Sequence, residues 1–279
     1  MDNEGHAKGV TYASPPVGRR GWGALRVWLR PSLNLAGVFR LLAAAVFFSF
    51  SIPVDSIHAQ GSAGLSDLSA MRRKLADPAP IVWLFTGDSV TQGAKWTGSE
   101  RSYPEIVSER IRWEMSRRRD IVINTAISGN KVDDILADFS WRVGQLHPDV
   151  VSVMIGMNDS VRGPSGERQF EISLAEFVRR VRSLGAIPIL HTTNSTLFDP
   201  QRVDLPAYNA IIEKLALEQQ VILVDNWRYW RSARTQENLT DWLGNPIHPN
   251  GRGHAAIAGK FFRVLGIYDA GSPMCRLGG

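Results

Sequence analysis

Ile81-Val82-Trp83-Leu84-Phe85 runs through Thr86 into Gly87-Asp88-Ser89-Val90-Thr91-Gln92-Gly93, and the reading of this stretch decides the fold. Five consecutive apolar residues, rich in β-branched and aromatic types, predict a buried strand. Gly-Asp-Ser predicts a turn, with a helix starting just behind it. A serine at such a junction stands above the carboxyl edge of a parallel sheet, where open α/β sheets bind ligands. Backbone N–H groups at a helix start also point at any developing anion. Serine is a weak nucleophile until a base removes its proton. Ser89 therefore needs a partner elsewhere in the chain.

Asn245-Pro246-Ile247-His248-Pro249-Asn250-Gly251 supplies one. His248 is flanked by a proline and precedes a predicted helix, so it belongs to a constrained loop. Two further turns each end an apolar run. Ile121 to Ala126 leads into Ser128-Gly129-Asn130, and Val150 to Ile155 leads into Gly156-Met157-Asn158-Asp159. Gly129 can bring a bare backbone N–H close to a ligand, and Asn158 carries a side-chain amide donor. The N–H groups of Ser89 and Gly129 and the Asn158 amide together would form a three-donor oxyanion hole.

In this order, Gly-Asp-Ser, Gly129, Gly-x-Asn-Asp and His-Pro-Asn, the chain resembles the SGNH (GDSL-type) serine hydrolases over roughly residues 80–265. The resemblance implies a flavodoxin-like three-layer α/β/α sandwich around a five-stranded, mostly parallel sheet. It implies ester hydrolysis through an acyl-enzyme, with no metal or organic cofactor. Its four name-giving residues correspond to Ser89, Gly129, Asn158 and His248. The family usually places an Asp three residues before the histidine, and here that position is Asn245. Asn245 can orient the ring through its side-chain carbonyl. Asp241 is the alternative acid. The substrate expected is a small-molecule or polysaccharide ester, short-chain acyl or acetyl. Lysophospholipase, thioesterase and acyltransferase chemistry, or an inactive carbohydrate-binding protein, are the rivals.

The chain has 279 residues and a net charge of +5. Residues 1–59 hold six Lys/Arg and three Asp/Glu, so the remainder carries 26 basic against 24 acidic residues, a net of +2. The basic excess belongs mainly to the leader and gives no reason to expect a nucleic-acid partner. Arg19, Arg20, Arg26, Arg30 and Arg40 precede the apolar Leu41–Phe50, and Ala59 suits a signal peptidase. This pattern reads as a secretory signal over 1–59, with export to the periplasm or medium and no stable membrane span after processing. The apolar core is short for a span, and a retained anchor over Leu33–Val54 is interrupted by Arg40. Residues 60–79 read as a linker with one helical turn near Leu68–Leu75, 80–270 as the hydrolase domain and 271–279 as a tail. One cysteine, Cys275, excludes an internal disulfide and a cysteine-type metal site.

Behind the first strand, periodicity predicts helices over 103–118, 132–143, 170–184, 205–219 and 251–265. Strands are predicted over 121–126, 150–155, 187–191 and 221–225. Strands alternating with helices imply a parallel sheet with right-handed crossovers. Asp88 and Asp159 read as loop-holding carboxylates, and His254 as structural. His191 reads equally as a pocket residue or a satisfied histidine. Trp96, Trp227, Tyr229, Trp230 and Trp242 either wall an acyl pocket or form a satellite core.

Overall fold

The structure, a computed structural model, describes residues 66–93, 95–234 and 238–277. The expected leader over 1–59 lies outside the described residues. Five parallel strands form the sheet: β1 Val82–Gly87, β2 Ile121–Asn124, β3 Val150–Met154, β4 Ile187–His191 and β5 Ile222–Val224, in the order β2-β1-β3-β4-β5. The sheet is wholly parallel, which sharpens the mostly parallel expectation. Strand periodicity explains the three layers. Trp83 and Phe85 of β1 enter one buried cluster, while Leu84 between them enters the other. β3 divides the same way, with Val150 and Met154 on one side and Val151 and Val153 on the other. Both faces are thus apolar, as a doubly covered parallel sheet requires.

The first face carries α1 (Asp67–Ala76), α3 (Tyr103–Glu109), α8 (Asn226–Ala233) and α9 (Gly251–Leu265), which contribute Met71, Tyr103, Trp230, Phe261 and Phe262. The second carries α4 (Val132–Ala137), α5 (Phe139–Arg142), α6 (Glu167–Ser183) and α7 (Leu205–Glu218), which contribute Ile135, Phe139, Phe177 and Ile212. Each such side chain contributes about 1.5–3 kcal/mol by leaving water.

Several boundaries differ from the sequence reading, for local reasons. The segment read as a linker contains α1, a ten-residue helix whose Met71 is fully buried. Arg117 receives its end: the guanidinium donates to the carbonyls of Leu75, Asp77 and Ala79 and pairs with Asp120. The helix expected over 103–118 changes to a π-helical turn at Arg110–Glu114. The helix expected over 132–143 breaks at Asp138, where φ is −101° and ψ +13°. The helix expected over 170–184 begins earlier, at Glu167. The 226–233 stretch, left without an element by its mixed pattern, is α8. The C-terminal segment ends in a short helix, α10 (Pro273–Arg276), whose Cys275 is buried in the first cluster.

Strand register sets the site. Gly87 pairs with Met154, Phe85 with Asn124, Met154 with His191 and His191 with Val224. The loops leaving β1, β2 and β3 therefore emerge side by side at one carboxyl edge.

Candidate active site

Gly87 ends β1 with φ +147°, a backbone that glycine takes readily and other residues resist. A Cβ there would lie 2.2 Å from the Met154 carbonyl oxygen. The chain thus passes hard against β3 before it turns. Asp88 then caps a single helical turn, α2 (Ser89–Gln92), by accepting the Val90 N–H at 2.9 Å. Ser89 is the first residue of that turn and is half-buried.

His248 sits in the loop between α8 and α9. The loop is tied at its base, where Leu243 bridges Pro249 and the Gly244 N–H donates to the His248 carbonyl at 2.9 Å. Asn245 Oδ1 accepts the Ile247 N–H at 2.9 Å, the His248 N–H at 2.7 Å and the His248 Nδ1–H at 3.1 Å. Two backbone N–H groups converging on that atom identify it as the oxygen, so Nδ1 of His248 carries the proton. Nε2 is then a bare acceptor, and the Ser89 Oγ lies 2.8 Å from it. Ser89, His248 and Asn245 form one continuous hydrogen-bonded chain. The structure does not bring Asp241 to the imidazole: its carboxylate is exposed and lies 3.8 Å from Arg234.

Trp96 lies flat on His248, with ring centroids 4.8 Å apart and planes 18° apart, and the Lys95 ammonium sits 4.7 Å over the Trp96 ring. Partial burial, then the positive charges of Arg202 and Lys95, hold the His248 pKa down at about 4. The imidazole is accordingly a neutral base across the neutral range.

Gly129 turns with φ +82° and no atom would meet a Cβ there, so the conformation alone calls for glycine. Among the described residues no backbone carbonyl takes its N–H. Asn158 donates one Nδ2 proton to the Asn130 carbonyl at 3.0 Å, which leaves the second for a ligand. Asp159 accepts the Val132 N–H at 3.1 Å and so ties the Asn158 turn to the start of α4. Burial pushes Asp88 up to about 7 and Asp159 up to about 6, and among the described residues each keeps one carboxylate oxygen without a partner.

His191 and His254 are core residues. His191 is 1 % exposed, and its Nε2 lies 2.8 Å from Ser152 Oγ while Asn226 Nδ2 faces its Nδ1 at 3.3 Å. The Tyr103 N–H donates to His254 Nδ1 at 3.2 Å. Burial holds both at about 3. Trp230 and Trp242 pack edge to face at 5.0 Å within the first core cluster itself, so they belong to the main core rather than to a satellite core or an acyl pocket. Trp227 instead lines a groove of about 400 Å³ with Leu197, Phe198, Arg202, Val203 and Arg231. The Leu197 N–H donates to the Pro246 carbonyl at 2.9 Å, which joins this groove to the histidine loop.

Sequence reasoning missed Arg142, Asn130 and Arg202. An arginine late in a helix reads as solvated, and Arg202 sits in a polar loop. Arg142 is fully buried and donates to Asn130 Oδ1 and to the carbonyls of Gly87 and Thr125. Arg202 donates to the Met157 carbonyl and pairs with Asp199. Among the described residues no group of three or more His, Cys, Asp or Glu is placed to hold a metal ion. No helix among them is long and apolar enough to cross a membrane.

Residues 85–256 match the GDSL-like Lipase/Acylhydrolase family. The chain is 26% identical over 204 residues to an acetylxylan esterase of Geobacillus stearothermophilus, covering 66% of this chain and 93% of that one. It is 26% identical over 180 residues to the thioesterase 1/protease 1/lysophospholipase L1 of Escherichia coli strain K12, covering 60% of this chain and 83% of the other. A solved structure of an acetyl-xylooligosaccharide esterase variant from Geobacillus superposes with a TM-score of 0.58 at 24% identity, over 70% of this chain and 96% of the other. From the family match, with the fold alongside it, this chain is an ester-hydrolysing enzyme that belongs to the GDSL-like lipase/acylhydrolase (SGNH) family.

Proposed function

We propose that the enzyme hydrolyses short acyl esters, acetyl groups on carbohydrate first among them, through an acyl-Ser89 intermediate. The observation that carries this reading is the 2.8 Å contact between Ser89 Oγ and a His248 Nε2 whose other nitrogen is committed to Asn245. Nε2 takes the hydroxyl proton as Oγ bonds to the ester carbonyl carbon. The carbonyl π-electrons move to oxygen, and that oxyanion is held by the N–H groups of Ser89 and Gly129 and the free Asn158 amide proton. The intermediate collapses, the C–O bond to the alcohol breaks, and Nε2 returns its proton to the leaving oxygen. Water then attacks the acyl-Ser89 by the same steps and releases the acid.

The acetyl-carbohydrate assignment is supported by the likeness to a protein named acetylxylan esterase. The groove beside the histidine loop offers Trp227 and Phe198 as faces for a sugar ring. Export is part of the same reading and rests on the basic and apolar leader ending near Ala59. N-terminal sequencing of periplasmic or secreted enzyme tests it, with a mature start near Gln60 expected.

The catalytic assignment is tested by a fluorophosphonate probe. Wild type should be labelled at Ser89, and Ser89→Ala should fold normally and escape labelling. Label persisting in Ser89→Ala would overturn it. Substrate class is tested with nitrophenyl esters of rising chain length and with acetylated xylan. Falling kcat/KM beyond acetate supports the short-chain reading, and rising kcat/KM supports the lipid or thioester one.

A further inference from the structure

Arg142 ends α5 with its side chain 0 % exposed. A buried guanidinium is costly unless its charge is matched, yet it pairs with no carboxylate within 4.0 Å among the described residues. Asp134 and Asp138 act on it only through space. Its partners are neutral oxygens, all belonging to the segments that carry the oxyanion donors. Nη2 donates to the Thr125 carbonyl at 2.9 Å, to the Gly87 carbonyl at 3.3 Å and to Thr86 Oγ1 at 3.2 Å. Nη1 donates to Asn130 Oδ1. The Asn130 backbone carbonyl in turn receives the Asn158 amide at 3.0 Å.

One side chain therefore holds a residue near each donor. Gly87 lies two residues before Ser89, Asn130 directly follows Gly129, and Asn130 anchors the Asn158 amide. Resting on the hydrolase reading above, we propose that Arg142 is a positioning residue: its guanidinium, through Gly87 and Asn130, sets the spacing of the oxyanion donors beneath the Ser89 turn. The planar fork suits this task, because several N–H groups are held in fixed relative directions. Lysine offers one compact ammonium in its place. The positive charge also lies against the segments that carry the donors, offset only through space by Asp138 and Asp134, and a field of that sign favours the transition state over the neutral ester. A brace for β1 and β2 alone would need the Gly87 and Thr125 bonds but not the one to Asn130.

The test is a double-mutant cycle on a short-chain nitrophenyl ester. Arg142→Lys should lower kcat about 10- to 100-fold with little change in KM, since misplaced donors act on the transition state. In an Asn158→Ala background the same change should cost clearly less than in wild type, because one of the donors that Arg142 positions is already gone. Asn130→Ala removes the side-chain link at a half-buried site, and it should show the same pattern if Arg142→Lys does not fold. Equal losses in both backgrounds, or kcat within twofold of wild type for the folded variants, would overturn the proposal and leave Arg142 a brace of the sheet. A wild type that hydrolyses no ester and takes no fluorophosphonate would overturn the hydrolase reading and this inference together. An active wild type with additive losses would overturn this inference alone.

Discussion

The side-chain carbonyl of Asn245 accepts the Nδ1–H of His248 at 3.1 Å while the same oxygen holds the backbone N–H groups of Ile247 and His248. A neutral acceptor thus fixes the tautomer without lending a negative charge to the imidazolium. The base is oriented but not made more basic, which fits its pKa of about 4.

The acid limb of kcat/KM should therefore lie near pH 4, because that limb reports the free enzyme's base. Asn245→Asp keeps the acceptor geometry and adds a carboxylate that stabilises the imidazolium. It should raise the His248 pKa, move the acid limb to higher pH and preserve or raise the rate at neutral pH. Asp241→Asn should leave the rate near wild type, since its carboxylate faces Arg234. Steady-state rates across pH on a short-chain ester check both. A collapse in Asp241→Asn with its circular dichroism intact would show that Asp241 serves His248 after all.

Asn158→Ala removes the side-chain amide that the proposed mechanism assigns to the oxyanion. Its kcat should fall by roughly 10²–10³ with KM little changed. Loss confined to KM would instead make Asn158 a ground-state binding residue.

Gly87→Ala and Gly129→Ala separate space from conformation. At Gly87 an added methyl meets the Met154 carbonyl at 2.2 Å in addition to the unfavourable φ, so stability should drop by about 2–4 kcal/mol. At Gly129 nothing lies within 4 Å of the added atom, and only the left-handed backbone cost of about 1–2 kcal/mol applies. Urea unfolding of the two variants gives the comparison. Equal losses would contradict it.

The pH dependence of stability should be shallow between about pH 4 and 6.5, where two pairs of groups act with opposite sign. His191 and His254 titrate near 3 in the fold, below the ordinary value of about 6.5. The unfolded chain takes up protons first, so stability is full above about 6.5 and falls as pH drops towards 3. Asp88 and Asp159 are raised, to about 7 and about 6. Their contribution is full below about 3.8 and is lost as pH rises through 6 to 7. His191→Gln should remove a rising contribution between about pH 3 and 6.5, and Asp88→Asn a falling one between about pH 4 and 7, so that each variant tilts the profile in the opposite direction over about pH 3–7. Urea midpoints measured across that range show whether either slope persists unchanged.

The sequence by itself determined the alternation of strands and helices, because the apolar runs at 81–85, 150–155 and 187–191 can be buried only in a doubly covered sheet. It also determined which residues stand at strand ends. Ser89, Gly129 and Asn158 follow apolar runs directly, and the proline beside His248 marks a constrained loop. Local patterning carries that much because each feature depends on neighbours within a few residues. The tertiary structure decided everything that depends on distant partners. Asn245 rather than Asp241 meets the imidazole because the ties at Leu243–Pro249 fold that loop onto itself. His191 is sealed in the core because its ring stacks on Phe261 of α9, while His248 sits in a loop and stays half-buried. Arg142 shows the limit most clearly. Nothing in the pattern around a helical arginine foretells burial, and its role follows only from the register that brings the ends of β1 and β2 above it.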